Sequence, residues 1–180
     1  MPRSTTARKP PFPCTSARQD RPATRIAGRV ADGFITTSGK DPALYTETLL
    51  PALDEGLEKA GRTRDDIDTL IEVKVSYHPD PDEALERTRF WAPLALSPDE
   101  KVGIHDPLEM QRRAAELPIE RVAKRFIVSS DPDEHVDRIV EVAQRGFRHL
   151  VFHDPGHDQA AFIERYSRDI LPRLRERLDP

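Results

Sequence analysis

Alternating hydrophobic and polar positions predict a strand at 70–77, the clearest in this chain of 180 residues. The residues predicted to form its buried face are Ile71, Val73, Val75 and Tyr77. A short apolar run predicts a second strand at 149–153, and Phe34 and Ile35 predict a third within 30–40. A weaker apolar run lies at 126–128. Each of these segments is short enough to be a strand of a globular domain.

Helical periodicity fills the intervals between the strands. Apolar residues mark one face of 42–60, Gly61 predicts its end, and Pro51 predicts a kink inside it. A last helix is predicted over 158–178, with a break at Pro172. Four further helix starts share a cap residue, a proline and then a glutamate at the third helical position. They are Asp80-Pro81, Ser97-Pro98, Asp106-Pro107 and Asp131-Pro132.

The alternation of strands and helices predicts an α/β fold, with a parallel sheet covered by helices. Three clear strands and one weak strand fall short of the eight strands of a (β/α)8 barrel. A part of such a barrel would expose two sheet edges and one sheet face.

The first 25 residues differ from the rest of the chain. They hold five prolines, six basic residues and one acidic residue, with few aliphatic residues. This composition predicts a disordered basic tail over 1–25, followed by a folded domain over 26–180. A basic arm for nucleic acid and an Arg-rich targeting peptide are the alternatives to a solvated tail.

Overall charge and cysteine content exclude several classes of function. The formal net charge of −4 argues against nucleic acid or an anionic membrane surface as a partner of the whole chain. The single cysteine, Cys14, cannot form an internal disulfide. The apolar runs are too short to span a bilayer, so a cytoplasmic location is expected.

The stretch 30–40 carries the clearest candidate chemistry. A strand runs into Thr37, Ser38 and Gly39, which offer hydroxyls, backbone N–H groups and a residue free to take positive φ. Lys40 follows, directly before a helix start at Asp41-Pro42. Such a turn can hold a phosphate, although an ordinary strand-to-helix turn with a solvated lysine explains the same residues.

Other candidate sites are weaker. The histidines at 149, 153 and 157 do not share a helix face, so no metal site is predicted. His153, at the end of its strand, is expected to face the mouth of a barrel. Glu72 and Lys74 are interpreted as a polar pair inside the barrel wall, with an acid/base pair as the alternative.

Several motifs together resemble the C-terminal half of the F-420-dependent glucose-6-phosphate dehydrogenases, a family of the bacterial-luciferase-like TIM-barrel superfamily. The resemblance runs from about Ile26 to Leu178 in consistent order and spacing, so residues 1–25 are interpreted as lying outside the family sequence. The motifs are Asp32-Gly33-Phe34-Ile35, Thr37-Ser38-Gly39-Lys40, Glu72-Val73-Lys74-Val75-Ser76-Tyr77, Thr88-Arg89-Phe90-Trp91-Ala92-Pro93-Leu94, Leu117-Pro118-Ile119-Glu120, Ala123-Lys124-Arg125, Ser130-Asp131-Pro132-Asp133-Glu134 and His149-Leu150-Val151-Phe152-His153-Asp154-Pro155-Gly156-His157-Asp158.

The resemblance implies the C-terminal half of a (β/α)8 barrel. It also implies that coenzyme F-420, a deazaflavin, takes a hydride from C1 of glucose 6-phosphate to give 6-phosphogluconolactone. The sugar phosphate would be held by Thr37, Lys40, Lys101 and Arg125. These residue types suit a phosphate dianion, because lysine offers a point charge and arginine a planar donor.

The sequence departs from the family pattern near its start. The catalytic histidine and glutamate belong to an N-terminal half with no counterpart here, so no catalytic residue is assigned. A Gly-Gly-Pro turn that grips the coenzyme is replaced by Gln19-Asp20-Arg21-Pro22-Ala23, so no coenzyme-binding residue is assigned either. The resulting alternatives are a non-catalytic fragment or a phosphosugar-binding half-barrel, with a homodimer or a complementing N-terminal half as the expected partner.

Overall fold

The computed structural model describes residues 14–17 and 20–178. Its strands are β1 (Thr15–Ala17), β2 (Gly33–Thr37), β3 (Asp68–Tyr77), β4 (Ile127–Ser129) and β5 (His149–His153). Its helices are α1 (Arg21–Val30), α2 (Leu50–Lys59), α3 (Pro81–Glu86), α4 (Pro98–Lys101), α5 (Pro107–Ala115), α6 (Ile119–Ala123), α7 (Pro132–Ala143), α8 (Gln159–Arg165) and α9 (Leu171–Leu178). Two π-helical turns, Leu44–Leu49 and Tyr166–Ile170, precede α2 and α9, and 3-10 segments cover Arg64–Asp66 and Arg87–Ala95.

The long strand β3 organises the sheet. It pairs with β2 along 68–72 and with β5 along 70–74, and its last three residues pair with β4. The short strand β1 extends the sheet beyond β2. Every one of these pairings is parallel, so the prediction of a parallel α/β sheet is confirmed.

The main hydrophobic core covers one face of the sheet. Ile71 and Val73 of β3 are fully buried there, as the alternating pattern predicts, and Phe34 of β2 lies beside them. Leu53 of α2 and Ile139 of α7 pack onto the same core. Each such side chain contributes roughly 1.5–3 kcal/mol when fully buried.

Residues 78–126 form an insertion between β3 and β4 with a small core of its own. Ala92, Leu96 and Val122 are buried in it, and Trp91 and Leu94 pack at its side. The predicted caps begin the helices of this region, since the side chains of Asp80, Ser97 and Asp106 each accept a backbone N–H. The insertion is therefore a folded unit that packs beside the ends of the strands.

Both predicted helix interruptions take the same form. Pro51 and Pro172 are each the second residue of an α-helix that directly follows a π-helical turn. A proline ring clashes with the carbonyl four residues earlier and offers no N–H, so a wider turn before it relieves the conflict. None of the helices within the described ranges has the length and apolar character needed to cross a membrane.

Part of the segment predicted to be disordered is folded. Thr15–Ala17 form β1, and α1 begins at Arg21 with the Asp20 carboxylate as its cap. The prediction of disorder over 1–25 is therefore wrong for these residues. Residues 1–13, 18 and 19 of the predicted tail lie outside the described residues.

Helix α1 is ordered because it packs on α2. Gly56 lets the two backbones meet, since a Cβ at this position would lie 2.1 Å from the carbonyl oxygen of Arg25. The Arg21 guanidinium pairs with the Glu55 carboxylate across the same contact. Composition missed this helix because the contact partners lie about thirty residues later in the chain.

The buried His135 makes the stability of this fold depend on pH. His135 is fully buried, its Nε2 lies 2.7 Å from the Tyr166 hydroxyl, and burial together with the Arg138 charge lowers its pKa to about 4. The unfolded chain takes up this proton near pH 6.5. We therefore expect the free energy of unfolding to fall as the pH drops from 6.5 towards 4, by about 1.4 kcal/mol per unit from this residue.

Urea unfolding of the parent and of His135→Gln at several pH values measures this contribution. Glutamine does not titrate, so the variant should lose stability less steeply below pH 6.5 than the parent. The control is His105→Gln, which makes the same substitution at an exposed histidine. Equal slopes for the parent and His135→Gln would contradict the prediction.

Candidate functional site

A cavity of about 390 Å³ opens where the sheet meets the insertion. Thr37 and His153 lie at the last positions of β2 and β5, and both pair in register with β3, Thr37 with Glu72 and His153 with Lys74. Residues in register on parallel strands point to the same face, so these side chains converge. The residues that line the cavity are Thr37, Lys40, Glu72, Lys74, Trp91, Leu94, Arg125 and His153.

The Lys74 ammonium group lies at the base of this arrangement. Lys74 is only 5% exposed, and its Nζ lies 3.7 Å from Glu72 Oε2. The same ammonium donates to the Thr37 hydroxyl and, at 3.4 Å, to the Ser38 carbonyl oxygen. Burial lowers the pKa of Lys74 against the opposing effect of Glu72, and Arg125 lowers it further. The predicted polar pair of Glu72 and Lys74 in the wall is confirmed.

His153 joins this network through Glu72. Its Nδ1 lies 2.5 Å from Glu72 Oε1, and its ring meets the edge of Trp91 at a centroid distance of 4.8 Å. Burial alone would raise the pKa of Glu72, but the hydrogen bond from His153 and the charge of Lys74 outweigh it and hold this pKa below its usual value. Glu72 is therefore an ionised carboxylate, and it orients the ammonium group of Lys74 and the imidazole ring of His153.

The turn after β2 brings two cations together. Gly39 has a φ of +79°, and a Cβ here would lie 2.4 Å from the carbonyl oxygen of Arg125, so only glycine permits this approach. Burial lowers the pKa of Lys40, and the nearby charge of Arg125 adds to the effect. The buried Nε of Arg125 has no hydrogen-bond partner among the described residues. Three cations, including Lys74, thus line the cavity against the single carboxylate of Glu72.

The structure brings together three of the four residues assigned to the phosphate. Thr37, Lys40 and Arg125 line the cavity, whereas Lys101 lies at the end of α4 and does not. His153, the last residue of β5, also lines the cavity. The wall formed by Trp91 and Leu94 had no sequence signal as part of the site, because it depends on how the insertion packs.

The model of the luciferase-like monooxygenase family matches residues 2–149 of this chain. Among curated proteins, an F420-dependent glucose-6-phosphate dehydrogenase of Microbacterium testaceum is 74% identical over 155 residues, which are 86% of this chain and 46% of that protein. A protein of the same name from Nakamurella multipartita is 61% identical over 165 residues, 92% of this chain and 49% of that one. The chain thus spans about half the length of these relatives.

Among solved structures, an F420-dependent secondary alcohol dehydrogenase in complex with an F420-acetone adduct superimposes with a TM-score of 0.76. The identity is 23%, and the match covers 91% of this chain and 49% of that one. At this identity the likeness concerns the fold, and it confirms the predicted fold class, about half of a luciferase-like barrel. On the match to the family model, the chain belongs to the luciferase-like monooxygenase family.

Proposed function

We propose that this chain supplies the sugar-phosphate subsite of an F420-dependent glucose-6-phosphate dehydrogenase. The observation that carries the proposal is the cavity in which Lys40, Lys74 and Arg125 meet beside the Thr37 hydroxyl. The names and the high identity of the curated relatives support the same assignment.

The chemistry of the cavity suits a phosphate dianion. Lys40 and Arg125 repel one another at close range, which contributes to the lowered pKa of Lys40, and an anion between them would remove that cost. The guanidinium offers a planar fork of donors, and the Thr37 hydroxyl fixes orientation. Lys101, the fourth residue implied by the family resemblance, would reach this anion only if α4 approaches the cavity when the ligand binds.

In the whole enzyme, C1 of glucose 6-phosphate would give a hydride to coenzyme F-420 while the C1 hydroxyl gives its proton to a base, leaving 6-phosphogluconolactone. This chain's residues would hold the phosphate and so place C1. The residues around the start of α1 do not fit the coenzyme turn, because positions 19–23 hold no glycine and the Asp20 carboxylate accepts the N–H of Ala23. A carboxylate at this helix start competes with an anionic group for the same N–H donors.

A non-catalytic phosphosugar-binding half-barrel is the second candidate function. Val151 lies in register with Glu72 on the cavity side of β5 and is 44% exposed, so this face of the strand lacks a cover within the described residues. A homodimer or a complementing N-terminal half would cover it. These partners and the cytoplasmic location stay predictions.

Reversing a charge in the cavity should abolish binding of glucose 6-phosphate. Lys40→Glu and Arg125→Glu each remove a charge-assisted hydrogen bond, worth about 1.5–3 kcal/mol, and add repulsion. We expect affinity to fall by at least about 100-fold, measured by titration calorimetry. Lys59→Glu, the same charge change at the exposed end of α2, is the matched control and should bind like the parent.

Lys101→Glu in the same titration tests whether Lys101 contacts the phosphate or lies outside the subsite. Weakened binding would place Lys101 at the phosphate, as the family resemblance implies. Parent-like affinity would restrict the subsite to the residues that line the cavity. If Lys40→Glu and Arg125→Glu both bind like the parent, the phosphate assignment is wrong.

The chain alone should not reduce coenzyme F-420. The reaction needs a base for the C1 hydroxyl and a pocket that aligns C1 with the coenzyme, and the family resemblance assigns both to another half of the barrel. Loss of such groups leaves little beyond what binding provides. The assay is the visible absorbance of the coenzyme with glucose 6-phosphate, for the chain alone and mixed with the N-terminal half of the Microbacterium testaceum relative. Turnover by the chain alone would contradict the prediction.

A further inference from the structure

A buried ion pair joins the insertion to the loop that follows β5. Arg87 Nη2 lies 2.5 Å from Asp154 Oδ2, and the two side chains are 14% and 0% exposed. The backbone N–H of Gly156 donates to the same carboxylate oxygen at 2.9 Å. Arg87 opens the 3-10 segment Arg87–Ala95, whereas Asp154 directly follows His153.

A contribution to folding stability is a weak explanation for the presence of this ion pair. Asp154 Oδ1 and Arg87 Nε are buried without a hydrogen-bond partner among the described residues. Burying two charges costs desolvation that the pair recovers only when all its polar atoms are satisfied. The incompletely satisfied pair points to a role in fixing the geometry of the two segments it joins.

One of the two joined segments, the 3-10 segment, forms a wall of the cavity. Trp91 and Leu94 line the cavity from the 3-10 segment, and Trp91 meets the ring of His153. The φ and ψ of Trp91 (−106° and 23°) are not helical, so the 3-10 segment is kinked at this residue. Ala92 and Leu96 anchor this segment in the core of the insertion, and the Arg87–Asp154 pair joins it to the loop after β5.

We propose that the Arg87–Asp154 pair positions Trp91 against His153 and so sets the wall of the sugar-phosphate cavity. Neither residue lines that cavity, so both act through Trp91 and the loop. The role in ligand binding rests on the proposed function, whereas the placement of Trp91 does not.

Trp91 is the chain's single tryptophan, so the tryptophan fluorescence reports on the surroundings of this residue. The first variant is Arg87→Ala/Asp154→Ala, which removes both charges and leaves neither one buried without its partner. We expect its far-ultraviolet circular dichroism to match the parent, its Trp91 emission to shift to the red, and quenching by acrylamide to increase.

A second variant disturbs the pair from its other side. In Gly156→Ala the new Cβ would lie 2.1 Å from Arg87 Nη2, so the guanidinium must leave its place. The same red shift and stronger quenching are expected. Arg89→Ala is the matched control, because it removes an exposed arginine of the same segment whose partner is the exposed Glu86. It should keep the parent's fluorescence.

Binding of glucose 6-phosphate gives the second readout. Both pair variants should bind about tenfold more weakly than the parent, while Arg89→Ala binds normally. Parent-like Trp91 fluorescence in a folded pair variant overturns the proposal, and loss of folding in both variants overturns it too by assigning the pair to stability. If the parent itself does not bind the sugar phosphate, the proposed function fails, and the fluorescence still decides the role of the pair.

Discussion

The candidate site depends on the buried ammonium group of Lys74. A charge that is 5% exposed is costly unless its neighbours replace water, and here the Glu72 carboxylate, the Thr37 hydroxyl and the Ser38 carbonyl do so. The backbone N–H of Lys74 also donates to the Ser38 hydroxyl at 2.9 Å. Thr37 and Ser38 lie at the end of β2 and directly after it, whereas Lys74 and Glu72 lie on β3. The hydrogen bonds of this one buried charge therefore hold the end of β2 against β3.

From this charge the network reaches the rest of the cavity. Glu72 contacts His153 on β5, and the His153 ring contacts Trp91 on the insertion. On the other side, the close approach of Gly39 to Arg125 sets Lys40 beside a second cation. The result is a cavity with an excess of positive charge whose walls come from three strands and one insertion. Such a preorganised cluster favours an anion more than flexible surface lysines would.

The site is more complete for binding than for chemistry. The cationic groups that line the cavity, Lys40, Lys74 and Arg125, lie within the sheet, the turn after β2 and the insertion. The cavity side of β5 is open by contrast, as the exposure of Val151 shows. This division agrees with a chain that spans about half the length of its relatives.

The sequence by itself determined the elements and much of their chemistry. Period-two alternation locates β3 and its buried face, proline after a cap residue locates four helix starts, and small polar residues before a lysine mark the turn at 37–40. These features depend on neighbours within a few residues, which is why the local sequence encodes them. Only the tertiary structure decided that α1 is folded, that Lys101 lies outside the cavity, that Trp91 lines it, and that Arg87 and Asp154 form a buried pair. Each of these depends on contacts between residues far apart in the chain, and such contacts leave no periodic signal in the sequence.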